Sequence, residues 1–227
     1  MNVNRFADRP AKRVACAACL RPAATCICQW VHPVVSRASV LFLQHPMEVH
    51  NAKNSARLLH LSLPGSVLAV GETFDPAALG ALLAGPRRAV LLYPDTPGDR
   101  SLGIAPPPAF DPALAASPGE LLLVVLDATW RKSRKMLYLN PPLQALPRLA
   151  LHDTPASHYL IRKAHAPGQL STFEATVHAL AQLENDGERY APLMTAFDGF
   201  VAQQLALAGR PAPTYDVTSG SNSVSDT

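Results

Sequence analysis

Aliphatic runs alternate with amphipathic stretches along most of this chain. The densest is Leu121-Leu122-Leu123-Val124-Val125-Leu126, six apolar residues with no polar position between them. A strand of this kind needs both faces buried, as in a parallel sheet covered by helices on each side. Shorter apolar runs at 38–43, 67–70, 89–93 and 149–151 predict four more strands. Between them, Ala52, Ala56, Leu59 and Leu63 form a helical stripe that predicts a helix over 51–61. Asp75-Pro76 opens a second helix running to about Ala84, with Asp75 as N-cap and Pro76 in the first turn.

The strand at 121–126 leads straight into a third helix, 128–138. Ser171-x-x-Glu174 has the form of a capping box and starts a helix carrying Phe173, Val177, Leu180 and Leu183. Leu193, Phe197, Phe200, Val201 and Leu205 mark a last helix over 192–208. The segment 95–119, rich in Pro and Gly, predicts a long connection with one short helix. Residues 211–227 are polar, Ser-rich and aperiodic, the pattern of a disordered tail. No internal repeat is visible. The order of elements predicts one α/β domain over 38–209, its sheet largely parallel.

Composition narrows this picture. The 227 residues suit one good-sized domain with a small appendage. The basic segment 1–14 carries Arg5, Arg9, Lys12 and Arg13 without an apolar core, so it does not read as a secretory signal. No run approaches the roughly 18 apolar residues needed to span a membrane, and a cytoplasmic location is expected. The net charge of +3 is small, but cations cluster at the amino terminus, at 131–135 and at 162–163. Such clustering is the footprint of a phosphate-backbone partner, or of a solvated helix face.

All four cysteines fall in Cys16-x2-Cys19-x6-Cys26-x-Cys28, and none occurs elsewhere. Four thiols this close in a reducing compartment point to a metal, with closed structural zinc the leading expectation for a module at 15–32. Inert buried thiols and an iron–sulfur cluster remain as alternatives. The other candidate chemistry is at Asp127-Ala128-Thr129-Trp130, which the strand reading places at a carboxyl end, where open α/β sheets hold ligands. Asp127 there is either a reactive carboxylate or a cap for the following helix. Arg131, Lys132, Arg134 and Lys135 on the next turns suit a polyanion beside a small ligand.

Asp127-Ala128-Thr129-Trp130 resembles the Asp-x-Thr-Trp signature of the DTW-domain family of tRNA-uridine aminocarboxypropyltransferases. Three further segments are similar to that family in the same order. They are the cysteine cluster with Arg21-Pro22, the stretch Gln44-His45-Pro46-x-Glu48 with Asn54 and Leu58, and Tyr159-x-x-Arg162-Lys163 continuing through Gly168-Gln169-Leu170-Ser171-Thr172-x-Glu174-Ala175. The resemblance implies a SPOUT-like fold with a trefoil knot that binds S-adenosylmethionine. It implies transfer of the 3-amino-3-carboxypropyl group to N3 of a uridine in tRNA, with no obligate protein partner.

On this likeness Asp127, Thr129 and Trp130 are the expected catalytic residues. Pro94, Asp127, Trp130, Arg162, Leu170, Ser171, Thr172 and Glu174 are expected at the donor, and Arg131, Lys132, Arg134, Lys135 and Lys163 at the RNA. The Pro-rich 95–119 segment and His165-Ala166 depart from the family's pattern. A SPOUT-type RNA methyltransferase and a non-enzymatic zinc-dependent RNA-binding protein are the alternative readings.

Overall fold

The computed structural model describes residues 14–94, 106–152, 154–159, 161 and 170–211. Five strands, β1 (Ser39–Gln44), β2 (Val67–Val70), β3 (Arg88–Leu92), β4 (Leu121–Asp127) and β5 (Arg148–Leu149), form one wholly parallel sheet in the order β2-β1-β4-β3-β5. The helices are α1 (Ala56–Ser62), α2 (Pro76–Leu83), α3 (Trp130–Leu139), α4 (Pro141–Gln144), α5 (Thr172–Glu184) and α6 (Gly187–Leu207). No described helix is long and apolar enough to cross a membrane.

The unbroken apolar run of β4 has the double burial it requires. Leu123 and Val125 join Val40, Phe42 and Val90 in a core closed by α1, α5 and α6. Val124 and Leu126 point the other way, to Leu41, Leu43 and Leu91 beneath Leu79 of α2, Met136 and Leu137 of α3 and Leu143 of α4. Each buried side chain of this size contributes about 1.5–3 kcal/mol, so a polar residue is excluded from either face of β4. Asp127, the first polar residue of the run, is where the strand meets the site.

Several boundaries differ from the sequence pattern for local reasons. Helix α1 starts at Ala56 rather than 51, because 51–55 turns to make side-chain and carbonyl bonds elsewhere. Helix α6 starts at Gly187, five residues before the expected 192, since the Asp186 carboxylate accepts from Arg189 N at 3.1 Å and supplies the cap. Pro192 thus lies inside the helix, where it forfeits one backbone bond. Strand β5 is only two residues, 148–149.

Helix α4, Pro141–Gln144, has no apolar periodicity to announce it. It follows Asn140, whose buried amide donates to Met136 O and Glu72 O and whose Oδ1 accepts from Phe74 N, fixing that turn. The described part of the Pro-rich connection, from 106, holds two 3-10 turns, Pro112–Ala116 and Pro118–Glu120. Residues 1–13, 95–105 and the tail 212–227 lie outside the described residues. So do 153, 160 and 162–169, and the expected trefoil knot falls in part on such segments.

The cysteine segment is packed onto the α5–α6 side, and Cys19 and Ile27 belong to the same core as β4. Trp30 Nε1 donates to Gln203 Oε1 at 2.6 Å, and Gln203 Nε2 donates to Cys26 O at 3.0 Å. The indole lies so close over Gly199 that any Cβ there would overlap the ring. Gly199→Ala is therefore expected to destabilise the protein by about 1–3 kcal/mol, the usual cost of overpacking. A thermal melt within about 1 °C of wild type would show instead that Trp30 yields freely.

Candidate active site

In-register pairing puts Gln44, the last residue of β1, beside Asp127, the last of β4. From there the chain diverges. After β1 it runs through α1 over one face to β2, and after β4 it runs through α3 over the other face to β5. Strands whose continuations part in this way leave a crevice at their carboxyl ends.

Asp127 lies at the base of that crevice, 4% exposed. Its Oδ2 accepts from Gln44 Nε2 at 2.8 Å and from Asn54 Nδ2 at 2.6 Å. The two amides come from different segments, so the carboxylate joins β1, the turn before α1 and β4. It does not serve as the cap of α3, which begins at Trp130 with Thr129 in the N-cap position and no side-chain cap bond. Burial pushes the Asp127 carboxyl above its ordinary range, hydrogen bonds from Gln44, Asn54 and Thr172 act against this, and the neighbouring Glu48 adds to it.

A carboxyl raised on folding binds protons more tightly in the native state, so its contribution to stability falls as pH rises from the ordinary carboxylate value through the folded one. Asp127→Asn should thus gain stability relative to wild type as pH rises above about 4. Parallel chemical denaturation of the two proteins across pH checks this, and a constant difference would contradict it.

Around Asp127 the cleft is lined by Glu48, Lys53, Asn54, Tyr159, Ser171 and Thr172. Glu48, 3% exposed, is held by Lys132 Nζ at 3.2 Å and Asn51 Nδ2 at 2.8 Å. Tyr159 packs on Phe197 and its hydroxyl donates to Lys53 O. His45 Nδ1 accepts from Met47 N, which leaves the Nε2 proton for Glu72 Oε1 at 3.0 Å. Glu72 also accepts from Lys135 Nζ at 2.8 Å.

A second group flanks this centre. Trp130 stacks on Tyr93 with ring centroids 5.3 Å apart, and the Arg148 guanidinium sits 5.2 Å from the Tyr93 centroid. Tyr93 is buried, whereas Trp130 is 42% exposed and Pro94, the residue after Tyr93, is exposed. The expected site residues thus divide: Asp127, Ser171 and Thr172 share the cleft, and Trp130 and Pro94 belong to the aromatic side. Leu170 is half-buried at the approach to α5.

Ser171 and Glu174 form a complete capping box, and Glu174 also accepts from Ser157 Oγ and His158 N. That carboxylate ties 157–158 to the start of α5. Arg131 and Lys135 are exposed on α3, Lys132 and Arg134 half-buried. Arg162 and Lys163 lie outside the described residues.

Gln44, Glu48, Asn54 and Tyr159 stood in the matched motifs without an assigned role. The signal for Gln44 was available: a polar residue ending an otherwise apolar strand faces whatever ends its neighbour.

The Sγ atoms of Cys16, Cys19, Cys26 and Cys28 all lie within 4.8 Å of one another. Cys16 and Cys28 are 3.6 Å apart, Cys19 and Cys26 3.7 Å. A tetrahedron of ~2.3 Å metal–sulfur bonds has edges of about 3.8 Å, so four thiols already stand where one metal ion would draw them.

Fold and site together define an α/β protein with a buried strand-end carboxylate and a four-cysteine centre. The DTW domain matches residues 13–205, and the chain belongs to that family. It is 33% identical over 207 residues to tRNA-uridine aminocarboxypropyltransferase 2 of Drosophila melanogaster, covering 88% of this chain and 78% of the fly protein. It is 25% identical to the Macaca fascicularis protein of the same name, covering 86% of this chain and 65% of the relative. With tRNA-uridine aminocarboxypropyltransferase A of Arabidopsis thaliana it shares 26% identity, over 80% of this chain and 76% of that protein. No solved structure matches.

Proposed function

We propose that this chain transfers the 3-amino-3-carboxypropyl group of S-adenosylmethionine to N3 of a uridine in tRNA, releasing methylthioadenosine. The observation that carries this is the buried Asp127 carboxylate, held by Gln44 and Asn54 at the strand-end crevice of a DTW-family chain. Relatives along most of its length bear the name of that activity.

Uridine N3 is a poor nucleophile until its proton leaves. Asp127 takes that proton as N3 attacks the γ-carbon of the donor's amino-acid arm. The carbon–sulfur bond breaks, its electron pair stays on sulfur, and the sulfonium charge is discharged as neutral methylthioadenosine departs. A carboxylate whose proton affinity is raised by burial is the stronger base for this step. At the amino terminus of α5, the hydroxyl proton of Ser171 and the backbone N–H of Thr172 are offered to the donor's carboxylate. Trp130, stacked on Tyr93, offers an exposed indole face to a base. Arg162, Lys163, Pro94 and Leu170 complete the donor and RNA contacts in this reading.

The cysteine set suits Zn2+ in a closed structural role, with no position left for a substrate. Free thiols of this kind suit a reducing compartment, the cytoplasm.

Binding of S-adenosylmethionine, measured by calorimetry on the metal-loaded protein, tests the donor half of the proposal. Saturable binding is expected, and its absence would contradict the reading. For the RNA half, Lys135 pairs with Glu72 at an exposed position, where such a pair is worth only about 0–1 kcal/mol and gives way to phosphate. Arg131→Gln and Lys135→Gln are each expected to weaken tRNA binding and to reduce the slope of log affinity against log salt by about 1. An unchanged slope would place the phosphate contacts elsewhere.

A further inference from the structure

Arg21 is buried to 9% exposure, yet among the described residues it makes no ion pair with a carboxylate. Instead its two terminal nitrogens donate to backbone carbonyls, NH1 to Ala52 O at 2.8 Å and NH2 to Asn54 O at 2.7 Å. Its guanidinium lies 5.3 Å from the Phe200 ring centroid. A buried cation is costly without a counter-charge. Arg21 stands two residues after Cys19, on the turn that carries the four cysteines. Four thiolates around a divalent metal there would carry two net negative charges, a counter-charge of the kind this cation lacks.

The backbone at Arg21 belongs to the cysteine turn itself. Cys16 N donates to Arg21 O at 2.7 Å, and Leu20 N donates to Cys16 O at 2.8 Å. The far end of the connection is at the site: Asn54, whose carbonyl Arg21 holds, donates its side-chain amide to Asp127 Oδ2 at 2.6 Å. Arg57 reinforces the same junction by donating twice to Ala18 O, at 3.2 and 2.9 Å. Within this segment Asn54 N donates to Asn51 O at 2.9 Å and the Tyr159 hydroxyl holds Lys53 O, while the Arg21 and Arg57 bonds tie the turn to the cysteine segment.

We infer that Arg21 is a positioning residue, which fixes Asn54 against Asp127 and thereby couples the four-cysteine centre to the reactive corner. Two consequences separate this from a merely structural role. Loosening should be confined to the 52–57 backbone, and the Arg21 and Asn54 substitutions should not act independently, since one works through the other.

The test uses the full chain, metal-loaded, as wild type, Arg21→Gln, Arg21→Lys, Asn54→Ser and Arg21→Lys combined with Asn54→Ser. Arg21→Lys keeps the charge beside the cysteines while losing the fork that spans two carbonyls, so it serves if Arg21→Gln does not fold. Hydrogen exchange is read by mass spectrometry, metal content by emission spectroscopy and transfer by steady-state kinetics. Arg21→Lys is expected to retain its metal and to exchange amides at 52–57 about tenfold faster, with the core strands unchanged. Its kcat should fall about 10- to 100-fold, the usual loss for an outer partner of a reacting group, with KM for the donor little changed. Added to Asn54→Ser it should cost little more.

Unchanged exchange at 52–57, or losses that multiply in full in the double variant, would overturn the inference. The kinetic arm rests on the transfer reading above, whereas the exchange arm does not. A wild-type chain without transfer activity would sink that reading and leave the exchange arm to decide the coupling.

Discussion

Asp127→Asn is expected to lower the transfer rate by about 10²- to 10⁴-fold, the contribution of a well-placed general base, while the fold persists. The shape of the side chain is preserved, and the amide oxygen can still accept from Gln44 Nε2 and Asn54 Nδ2, so neither donor is stranded in the buried cluster. What disappears is the proton acceptor. The variant has also lost a buried negative charge that burial disfavours, and is expected to melt no lower than wild type at neutral pH. Asp127→Ala is a poorer probe, because it leaves two amide donors unsatisfied at a cost of about 1–3 kcal/mol each. Single-turnover transfer from labelled donor, with circular dichroism as the control, decides the matter. A rate within tenfold of wild type would remove Asp127 from the reaction.

The second large effect lies at the cysteines. Cys26→Ser is expected to lose the metal and at least 5 kcal/mol of stability, part of the ~10–16 kcal/mol that zinc supplies to small metal-dependent folds. For a chain of this length that corresponds to a fall of about 10–20 °C in the melting midpoint. The loss spreads because the segment is not an appendage. Ile27 is fully buried in the main core, Trp30 is bonded to Gln203, and Gln203 in turn holds Cys26 O. Opening the cysteine turn therefore exposes one face of α6. Metal analysis and a thermal melt on the same preparation check both halves. A variant that binds one metal and melts within about 3 °C of wild type would contradict the structural role.

Much of this architecture can be read from the chain because burial dictates it. The apolar run of β4 demands cover on two faces, and the Asp75-Pro76 and Ser171-x-x-Glu174 caps lie where they were expected. Element ends were less legible where a side chain replaces a backbone partner. Asp186 starts α6 five residues early, and Asn140 sets a turn that propensity does not announce. The site divides in the same way. Asp127 is visible as the first polar residue after six apolar ones. The alignment of Gln44 with it depends on strand register, and the reach of Asn54 depends on a turn held by an arginine from the cysteine segment. Those are contacts between distant parts of the chain, and no local pattern encodes them. The stacking of Trp130 on Tyr93 is of the same kind, since it requires β3 and β4 to be neighbours.

Nucleoside mass spectrometry of tRNA incubated with the metal-loaded protein and S-adenosylmethionine labelled in its amino-acid arm tests the central claim most directly. The account predicts a labelled uridine carrying the aminocarboxypropyl group, methylthioadenosine released in equal amount, and both products formed about a hundredfold or more slowly by Asp127→Asn. A uridine bearing only a methyl group, or tRNA recovered without label, would contradict it.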